Sequence, residues 1–229
     1  MTSSQPIART AWAGFCDVPV DHPGIAALAD ASNKFTVEAG VGLIEQGEQN
    51  QNIYLVLEGE FKVVRYSENG HEIWLADAPK GHLIGEISSL ANRNRSSSVI
   101  AVTASTVLSI EGPAYLEALS THGELAVSLC RLLATRLADT SAQVVELVSM
   151  PVEARLHAEL VRIGTVDPDD SEVYRITQMP KVSDLGDRIH ATREATSRAI
   201  AKLNKRQLIH RSDDVVTVIA PGALIGTGV

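Results

Sequence analysis

One stretch of the chain, residues 52–85, reads NIYLVLEGEFKVVRYSENGHEIWLADAPKGHLIG and alternates short apolar runs with turn residues. Branched and aromatic residues favour strands, and the pair Asn69-Gly70 between two such runs is a strong hairpin signal. Glycines recur at positions 40, 47, 59, 70 and 81. Residues from about 34 to 110 are therefore predicted to form an antiparallel β-roll or sandwich.

Length and composition are typical of a globular chain. The 229 residues, 45% of them hydrophobic, suffice for one large domain or two smaller ones. No run of about 18 apolar residues occurs, so no membrane-spanning helix is expected. The segment MTSSQPIARTAWAG lacks the features of a secretory signal, and we expect a cytoplasmic protein. Cys16 and Cys130 stand far apart and are expected to be reduced thiols that bind no metal.

Charge is distributed unevenly along the chain. The formal net charge is −8. Residues 181–211 carry eight Lys or Arg against three Asp or Glu, a net +5, which leaves −13 for the rest. An acidic body with a basic segment indicates a localised anionic partner, and a solvated basic helix face is the simpler alternative.

A long amphipathic helix is predicted in residues 123–150, GELAVSLCRLLATRLADTSAQVVELVSM. Its stripe follows alternating steps of four and three residues at Leu133, Leu137, Thr140, Val144 and Leu147. This heptad seam favours pairing with a second copy of the helix, and the alternative is a helix that lies on its own β domain. Thr140 and the adjacent Ser141 are polar within this region, so they require hydrogen-bonding partners.

The C-terminal part of the sequence has the pattern of a small α+β domain. Pro151 ends the long helix, because proline lacks the amide hydrogen, and residues 149–151 are a candidate hinge. A further helix should end near Gly164. Two short helices within residues 181–209, flanked by the strand-like runs YRITQM and VVTVIA, have the order of a winged helix-turn-helix. We expect Leu185, Ile189, Ala195, Ala199, Ile200 and Leu203 to face inward, with Thr192 as N-cap of the second helix.

The exposed side of that second helix carries side chains suited to reading DNA bases. Arginine matches the acceptors of guanine, glutamate can accept from cytosine, and the first helical turn presents N–H groups to phosphate. The candidate DNA-binding residues are Ser183, Thr192, Arg193, Glu194, Ser197, Arg198 and Lys202. A surface pair between Glu194 and Arg198 is the simpler alternative, but the nearby cations Lys205, Arg206 and Arg211 favour DNA.

A second polar motif, GEISSLANRNRSSS at residues 85–98, lies within the strand-like region. It is similar to the phosphate-binding cassette of cyclic-nucleotide-binding domains. Together with TRLADTSAQV on the long helix and ATREATSR on the second short helix, it resembles the cAMP receptor protein/FNR superfamily of bacterial transcription regulators. The resemblance covers about residues 30–220 and implies an N-terminal β-roll, a dimerisation helix and a DNA-binding domain.

The resemblance implies a ligand site, which consists of Gly85, Glu86, Ile87, Ser88, Arg95, Ser96, Ser97, Arg136, Thr140 and Ser141. Arg95 would pair with a cyclic phosphate beside the Ser96 hydroxyl, and Glu86 would accept from the ribose 2′-hydroxyl. Thr140 and Ser141, from two subunits, would contact the purine. The expected allosteric ligand is cAMP, and cGMP is the alternative because hydroxyls both donate and accept.

The predicted fold class is α+β, with a jelly-roll-like N-terminal domain. The predicted domains are residues 1–30 as an extension with a short helix, 31–125 as the cyclic-nucleotide-binding β-roll, 126–149 as the dimerisation helix, and 150–229 as the winged helix-turn-helix. The expected partners are a palindromic TGTGA-like duplex, a second copy of the chain and RNA polymerase, with no membrane and no metal. His190 departs from the glycine common in the helix-turn-helix turn, where a positive φ is often required.

Two other interpretations stay open. One is a regulator of the same family that works without nucleotide, with a vestigial pocket. The other is a cupin-like enzyme, since β-rolls of that class hold a metal with histidines. The seven histidines include no close pair on adjacent strand or helix positions, which disfavours the enzyme.

Overall fold

A computed structural model of the chain describes residues 5–212 and 215–220. Residues 1–4 and 221–229, the ends of the first and last predicted domains, and residues 213–214 lie outside the described part. The chain divides into two compact units, with the boundary between Leu137 and Ala138. Antiparallel sheets combined with helices confirm the predicted α+β class.

The first unit begins with two helices and continues into the strands of the roll. Its elements are α1 (Gln5–Cys16), α2 (Pro23–Asp30), β1 (Asn33–Val37), β2 (Gly42–Ile44), β3 (Ile53–Glu58), β4 (Glu60–Tyr66), β5 (Glu72–Pro79), β6 (Leu83–Ile84), α3 (Glu86–Ala91), β7 (Ser98–Ala101), β8 (Ser105–Ile110) and α4 (Gly112–Thr121). The following helix, α5 (Gly123–Ser149), begins in this unit and continues into the second.

Two four-stranded antiparallel sheets form the roll. One sheet has the order β1-β8-β3-β6 and the other the order β2-β7-β4-β5. Side chains from both sheets meet in one buried cluster, with Val56 and Val107 from the first sheet and Phe61 and Val99 from the second. This arrangement confirms the β-roll predicted from the regular series of turns.

The hairpin between β4 and β5 lies where the Asn69-Gly70 pair predicts it. The amide of Gly70 donates to the Ser67 carbonyl at 2.9 Å, and the amide of Ser67 donates to the His71 carbonyl at 3.0 Å. Gly70 has a φ of +76°, whereas Asn69 is not among the residues with positive φ. The loop is therefore a four-residue turn closed by a left-handed glycine, not a two-residue turn centred on the pair.

Strand β3 is buried on both faces, because helices cover the side of its sheet that faces away from the roll interior. Tyr54 and Val56 point into the cluster between the sheets. Ile53 and Leu55 instead join a second cluster with residues of α1, α2, α4 and α5, including Trp12, which is fully buried. The N-terminal residues, for which the sequence shows no motif, thus complete the core of this unit.

Helix α5 packs on the first unit through its N-terminal half. Leu125 and Leu129 are buried there, and Leu133 lies at the edge of the same cluster. Farther along, the predicted stripe is exposed in the single chain, with Leu137 at 69% and Val144 at 55% exposure. In its first half the helix therefore lies on its own domain.

The described part of the second unit consists of the end of α5, three further helices and one small sheet. Its elements are α6 (Val152–Ile163), β9 (Thr165–Val166), β10 (Val173–Ile176), α7 (Val182–Arg188), α8 (Arg193–Lys205), β11 (Ile209–Ser212) and β12 (Val215–Ile219). The sheet is antiparallel with the order β11-β12-β10-β9. Pro151 precedes α6, as predicted. None of the helices within residues 5–212 is long and apolar enough to cross a bilayer.

Helices α7 and α8 form the predicted helix-turn-helix. His190 in the turn has a φ of +52°, and the Thr192 Oγ1 caps α8 by accepting from the Ala195 amide at 3.2 Å. Thr196 is fully buried, which the sequence pattern misses. The threonine is tolerated because its hydroxyl donates to the Thr192 carbonyl at 3.0 Å.

Two of the positions predicted to face inward on α8 are less buried than expected. Ala195 and Ile200 are half-buried, whereas Ala199 and Leu203 are buried as predicted. The buried stripe of α8 therefore runs through Thr196, Ala199 and Leu203, which follow steps of three and four residues.

Candidate functional site

The predicted phosphate-binding motif begins with a left-handed turn at Gly85. This residue has a φ of +88° and immediately precedes α3. A Cβ at this position would lie 2.6 Å from the Arg95 Nη1 and 2.8 Å from the Asn52 carbonyl oxygen. Glycine is thus required twice, by its backbone conformation and by the close approach of the Arg95 side chain.

Arg95 is buried, with 4% of its surface exposed. Its Nη1 donates to the Gly85 carbonyl at 2.8 Å and to the Ser88 Oγ at 2.6 Å, and its Nη2 donates to the Asn52 carbonyl. Burial lowers the pKa of the guanidinium, an effect opposed by the electrostatic influence of Tyr54, Glu48 and Glu86. The Arg95 Nε is buried without a hydrogen-bond partner. A buried cation with an unused donor is suited to an anion.

Glu86, the first residue of α3, forms an ion pair with α5. Its side chain is 2% exposed, and its Oε1 accepts from the Arg136 Nη1 at 2.5 Å. The Arg136 Nη2 donates to the Leu83 carbonyl at 2.7 Å, so the guanidinium joins the long helix to both ends of the β6–α3 turn. Glu86, Arg136 and Arg95 therefore belong to one polar region of the first unit.

The structure brings together five of the ten residues predicted for the ligand site, namely Gly85, Glu86, Ser88, Arg95 and Arg136. The side chain of Ile87 is 54% exposed, Ser96 is exposed and Ser97 is half-buried. Thr140 and Ser141 are exposed residues of α5 in the second unit. Thr140 follows Arg136 by one helical turn, which puts both residues on the same side of α5.

Sequence reasoning missed the residues that hold Arg95 from the other side. The Asn50 Oδ1 accepts from the Asn52 amide at 2.7 Å and lies 3.5 Å from the Arg95 Nη2. Burial raises the pKa of Tyr54, an effect opposed by the charge of Arg95 and by the side chains of Asn52 and Asn50. The polar run EQNQN at residues 48–52, directly before a mainly apolar strand, is the signal that could have found them.

The predicted DNA-reading residues of α8 share one exposed surface. Thr192, Arg193, Glu194, Ser197 and Arg198 are all exposed, opposite the buried Thr196, Ala199 and Leu203. Ser183 is exposed on α7, where its hydroxyl donates to the Asp184 carboxylate at 3.0 Å. These side chains are free of the core, as contact with a macromolecular partner requires.

Lys202, another of the predicted DNA-binding residues, lies near a carboxylate of α6. Its Nζ lies 4.0 Å from the Glu153 carboxylate on α6, which also accepts from the Arg206 Nη1 at 2.6 Å. A second carboxylate of α6, that of the buried Glu159, pairs with Arg188 of α7 at 3.1 Å. Acidic side chains of α6 thus hold cations of both helices of the helix-turn-helix.

Within residues 5–212 and 215–220, no group of three or more His, Cys, Asp or Glu side chains is arranged to hold a metal ion. His22 and His122 come close, with ring centroids 5.5 Å apart, but His22 caps α2 by accepting from the Gly24 amide at 3.1 Å. The sequence offered no signal for this contact.

Comparison with known proteins identifies the first unit and the architecture. Residues 34–122 match the family of the cyclic nucleotide-binding domain. Over 191 residues the chain is 25% identical to the CRP-like cAMP-activated global transcriptional regulator of Mycobacterium tuberculosis, a match covering 82% of this chain and 84% of that protein. Over 182 residues it is 26% identical to the cAMP-activated global transcriptional regulator CRP of Salmonella typhimurium, covering 77% and 84%.

The fold is similar to that of a solved transcription regulator. The c-di-GMP-responsive global regulator CLP of Xanthomonas campestris superposes with a TM-score of 0.72 at 18% identity, covering 88% of this chain and all of that one. These relatives are transcription regulators rather than enzymes. The match to the cyclic nucleotide-binding domain and the similarity to these transcription regulators support the CRP/FNR superfamily for this chain.

Proposed function

We propose that this protein is a transcription regulator whose DNA binding is controlled by cAMP, bound in the first unit beside Arg95 and Glu86. The observation that carries the proposal is the buried Arg95 guanidinium, whose Nε lacks a hydrogen-bond partner next to the Gly85 turn. A cyclic phosphate supplies the acceptor and the negative charge that this group lacks. The cAMP-activated relatives support the choice of ligand, and cGMP is the alternative.

The other residues of the site follow from the resemblance to the family. We assign Ser96 and Ser97 as hydroxyl donors to the phosphate, and the carboxylate of Glu86 as acceptor from the ribose. Gly85, Ile87 and Ser88 contribute the backbone of the turn. Thr140 and Ser141 contact the purine, one from each subunit of a homodimer, and Thr140 lies on the α5 side that carries Arg136.

The homodimer forms through α5. Its predicted seam includes Leu137, Val144 and Leu147, which are exposed in the single chain. Apolar residues exposed at heptad spacing along a 27-residue helix are typical of a helix that pairs with a copy of itself. Ligand bound against the paired helices then alters how the C-terminal domains are held about residues 149–151.

The helix-turn-helix presents α8 to the major groove. Arg193, Glu194 and Arg198 read a half-site resembling TGTGA, while Ser183, Thr192, Ser197 and Lys202 contact the backbone or flanking bases. Two copies read the two halves of a palindrome. We expect the protein to act in the cytoplasm, where the duplex and RNA polymerase are found.

Calorimetric titration of the purified protein with cAMP and, separately, with cGMP tests the proposal. Each titration is made with and without a duplex carrying a TGTGA palindrome. We expect cAMP to bind more tightly in the presence of the duplex, because coupling between two sites is reciprocal. The variant Arg95→Gln should lose the heat of binding, whereas Arg65→Gln, which removes an exposed charge from β4, should retain it.

Each contrary result has a definite meaning. If cGMP bound with the same affinity as cAMP and the same coupling to the duplex, the Thr140-Ser141 pair would accept both purines. A titration with no heat for either nucleotide would favour the nucleotide-independent regulator, whose pocket is vestigial. An Arg95→Gln variant that titrates like the unmodified protein would remove Arg95 from the site.

A further inference from the structure

A cavity of about 460 Å³ lies in the second unit, where α5 ends and α6 begins. Its walls come from three parts of the chain: the end of α5 with Met150 and Pro151, one side of α6, and the end of α8 with Leu208. The volume is within the range of pockets that hold small organic ligands. All of its lining residues belong to the second unit, so the cavity is separate from the Arg95 site.

Two small residues on α6 create the space. Ala154 and Ala158 are one helical turn apart, so they lie on the same side of the helix, and both line the cavity. Larger apolar residues, including Met150, Val161 and Leu203, form the remaining wall. The surface offered to a ligand is therefore mainly aliphatic.

The charged residues around the cavity are already paired with one another. Arg206 lies 2.6 Å from Glu153, and Arg162 lies 3.3 Å from Glu146. The ring of His157 is held by the Ile219 carbonyl at 2.7 Å. Among the described residues, no buried side-chain atom without a hydrogen-bond partner belongs to the cavity lining. A charged ligand would have to displace one of these pairs, whereas an uncharged apolar ligand would leave them intact.

We propose that this cavity is a binding site for an uncharged, predominantly apolar small molecule. The aliphatic wall buries the apolar surface of the ligand. The two ion pairs Arg206–Glu153 and Arg162–Glu146 carry no net charge that would select an ionic ligand. Such a ligand contacts residues 150–151 and the C-terminal end of α8 at the same time.

The uncharged fluorescent probe N-phenyl-1-naphthylamine tests the proposal on the full-length protein saturated with cAMP. The protein is labelled with ¹³C in its methionine methyl groups. Met150 lines the cavity, whereas Met179 packs elsewhere against the core of the same unit and serves as internal reference. We expect a saturable shift of the Met150 methyl signal and little change at Met179. A Met150 signal that stays in place up to the solubility limit of the probe would overturn the proposal.

Cavity-filling variants provide the second readout. Ala158→Leu should weaken probe binding at least tenfold by fluorescence, and Ala154→Leu should do the same. The matched control is Ala201→Leu, which adds the same side chain at an exposed position of α8 outside the cavity, and it should bind within twofold of the unmodified protein. The chemical shift of the Met179 methyl signal reports whether each variant is folded. If Ala158→Leu is not folded, the conclusion is drawn from Ala154→Leu. Unchanged affinity in the folded cavity variants would also overturn the proposal.

Discussion

The Arg136 Nη1 lies 2.5 Å from the Oε1 of Glu86, a carboxylate that is 2% exposed. The pair joins the long helix α5 to the first turn of α3, which carries the phosphate-binding motif. A carboxylate this deeply buried needs a cation, because its desolvation would otherwise cost several kcal/mol. The contact is thus a structural support for the candidate site as well as part of it.

Removing the cation of this pair should destabilise the first unit. Arg136→Met keeps most of the aliphatic stem but leaves the Glu86 carboxylate unpaired, and we expect a loss of about 3 kcal/mol in the free energy of unfolding. Glu86→Gln keeps a hydrogen-bonding group and should cost about 1 kcal/mol. Urea unfolding at fixed protein concentration measures both values. The double variant should lose less stability than the two single variants lose in total. Strictly additive losses would contradict a coupling between Glu86 and Arg136.

Gly85→Ala should abolish cyclic nucleotide binding. The added Cβ meets both the Arg95 guanidinium and the Asn52 carbonyl, so Arg95 must move. The matched control is Gly47→Ala, because Gly47 has nearly the same φ, +89°, with no atom near the position of its Cβ. Both variants should lose about 1 to 2 kcal/mol of stability from the left-handed backbone. Calorimetric titration with cAMP should separate them, and equal ligand affinities would contradict the role of the close approach.

The stability of the first unit should decrease at alkaline pH because of Cys16. Burial raises the pKa of this thiol from 9.0 to about 12, so the folded state holds the proton more tightly than the unfolded state. The stabilisation is complete below about pH 9 and is lost as the pH rises toward 12, at about 1.4 kcal/mol per pH unit. Urea unfolding at pH 8 and 10.5 should show this decrease, and Cys16→Ala should show a smaller one. Cys130→Ala is the control, because Cys130 is exposed. An equal decrease in all three proteins would contradict the assignment.

Arg198→Ala should weaken binding to a TGTGA palindrome by about 1 to 3 kcal/mol and relax selectivity at one base position. The reason is that an exposed arginine of α8 can form two hydrogen bonds with one guanine. Lys205→Ala removes an exposed cation from the last turn of the same helix and should weaken binding to every sequence alike. Fluorescence anisotropy with duplexes substituted at each half-site position measures both effects. A uniform loss for Arg198→Ala would make this residue a phosphate contact.

Glu153→Gln should strengthen DNA binding without regard to sequence. Glu153 holds Arg206 and lies near Lys202, so its neutralisation frees one cation of α8 and one directly after it for phosphate contacts. Each new phosphate contact should steepen the dependence of log affinity on log salt by about 0.9. Glu146→Gln changes the net charge equally but removes only one of two carboxylates from Arg162 on α6, which still pairs with Glu159, and it should leave the slope unchanged. Equal slopes in the two variants would show that the effect is one of net charge alone.

Local sequence patterns predicted much of the architecture. Short apolar runs with spaced glycines indicated the roll, Asn69-Gly70 indicated the hairpin, and Thr192 indicated the start of α8. These features depend on neighbours within a few residues, so the chain itself carries the information. The exposed surface of α8 followed from the same periodicity.

Other features could not be predicted because they depend on contacts between distant segments. Asn50 and Asn52 approach Arg95 across more than 40 positions in sequence, and Trp12 completes a core that begins at Ile53. The double burial of β3 likewise results from helices that cover one side of its sheet. No short-range pattern distinguishes such a strand from one with a single buried face.

The sequence by itself determined the order of the elements, their capping and turn residues, and the residue types available for anion and base recognition. Only the tertiary structure decided that Glu86 pairs with Arg136, that Arg95 is enclosed with one donor unused, and that two alanines of α6 leave a cavity. The physical reason is the separation in sequence of the residues that interact. Backbone conformation responds to the nearest residues, whereas burial and ion pairing depend on which distant segments the folded chain brings together.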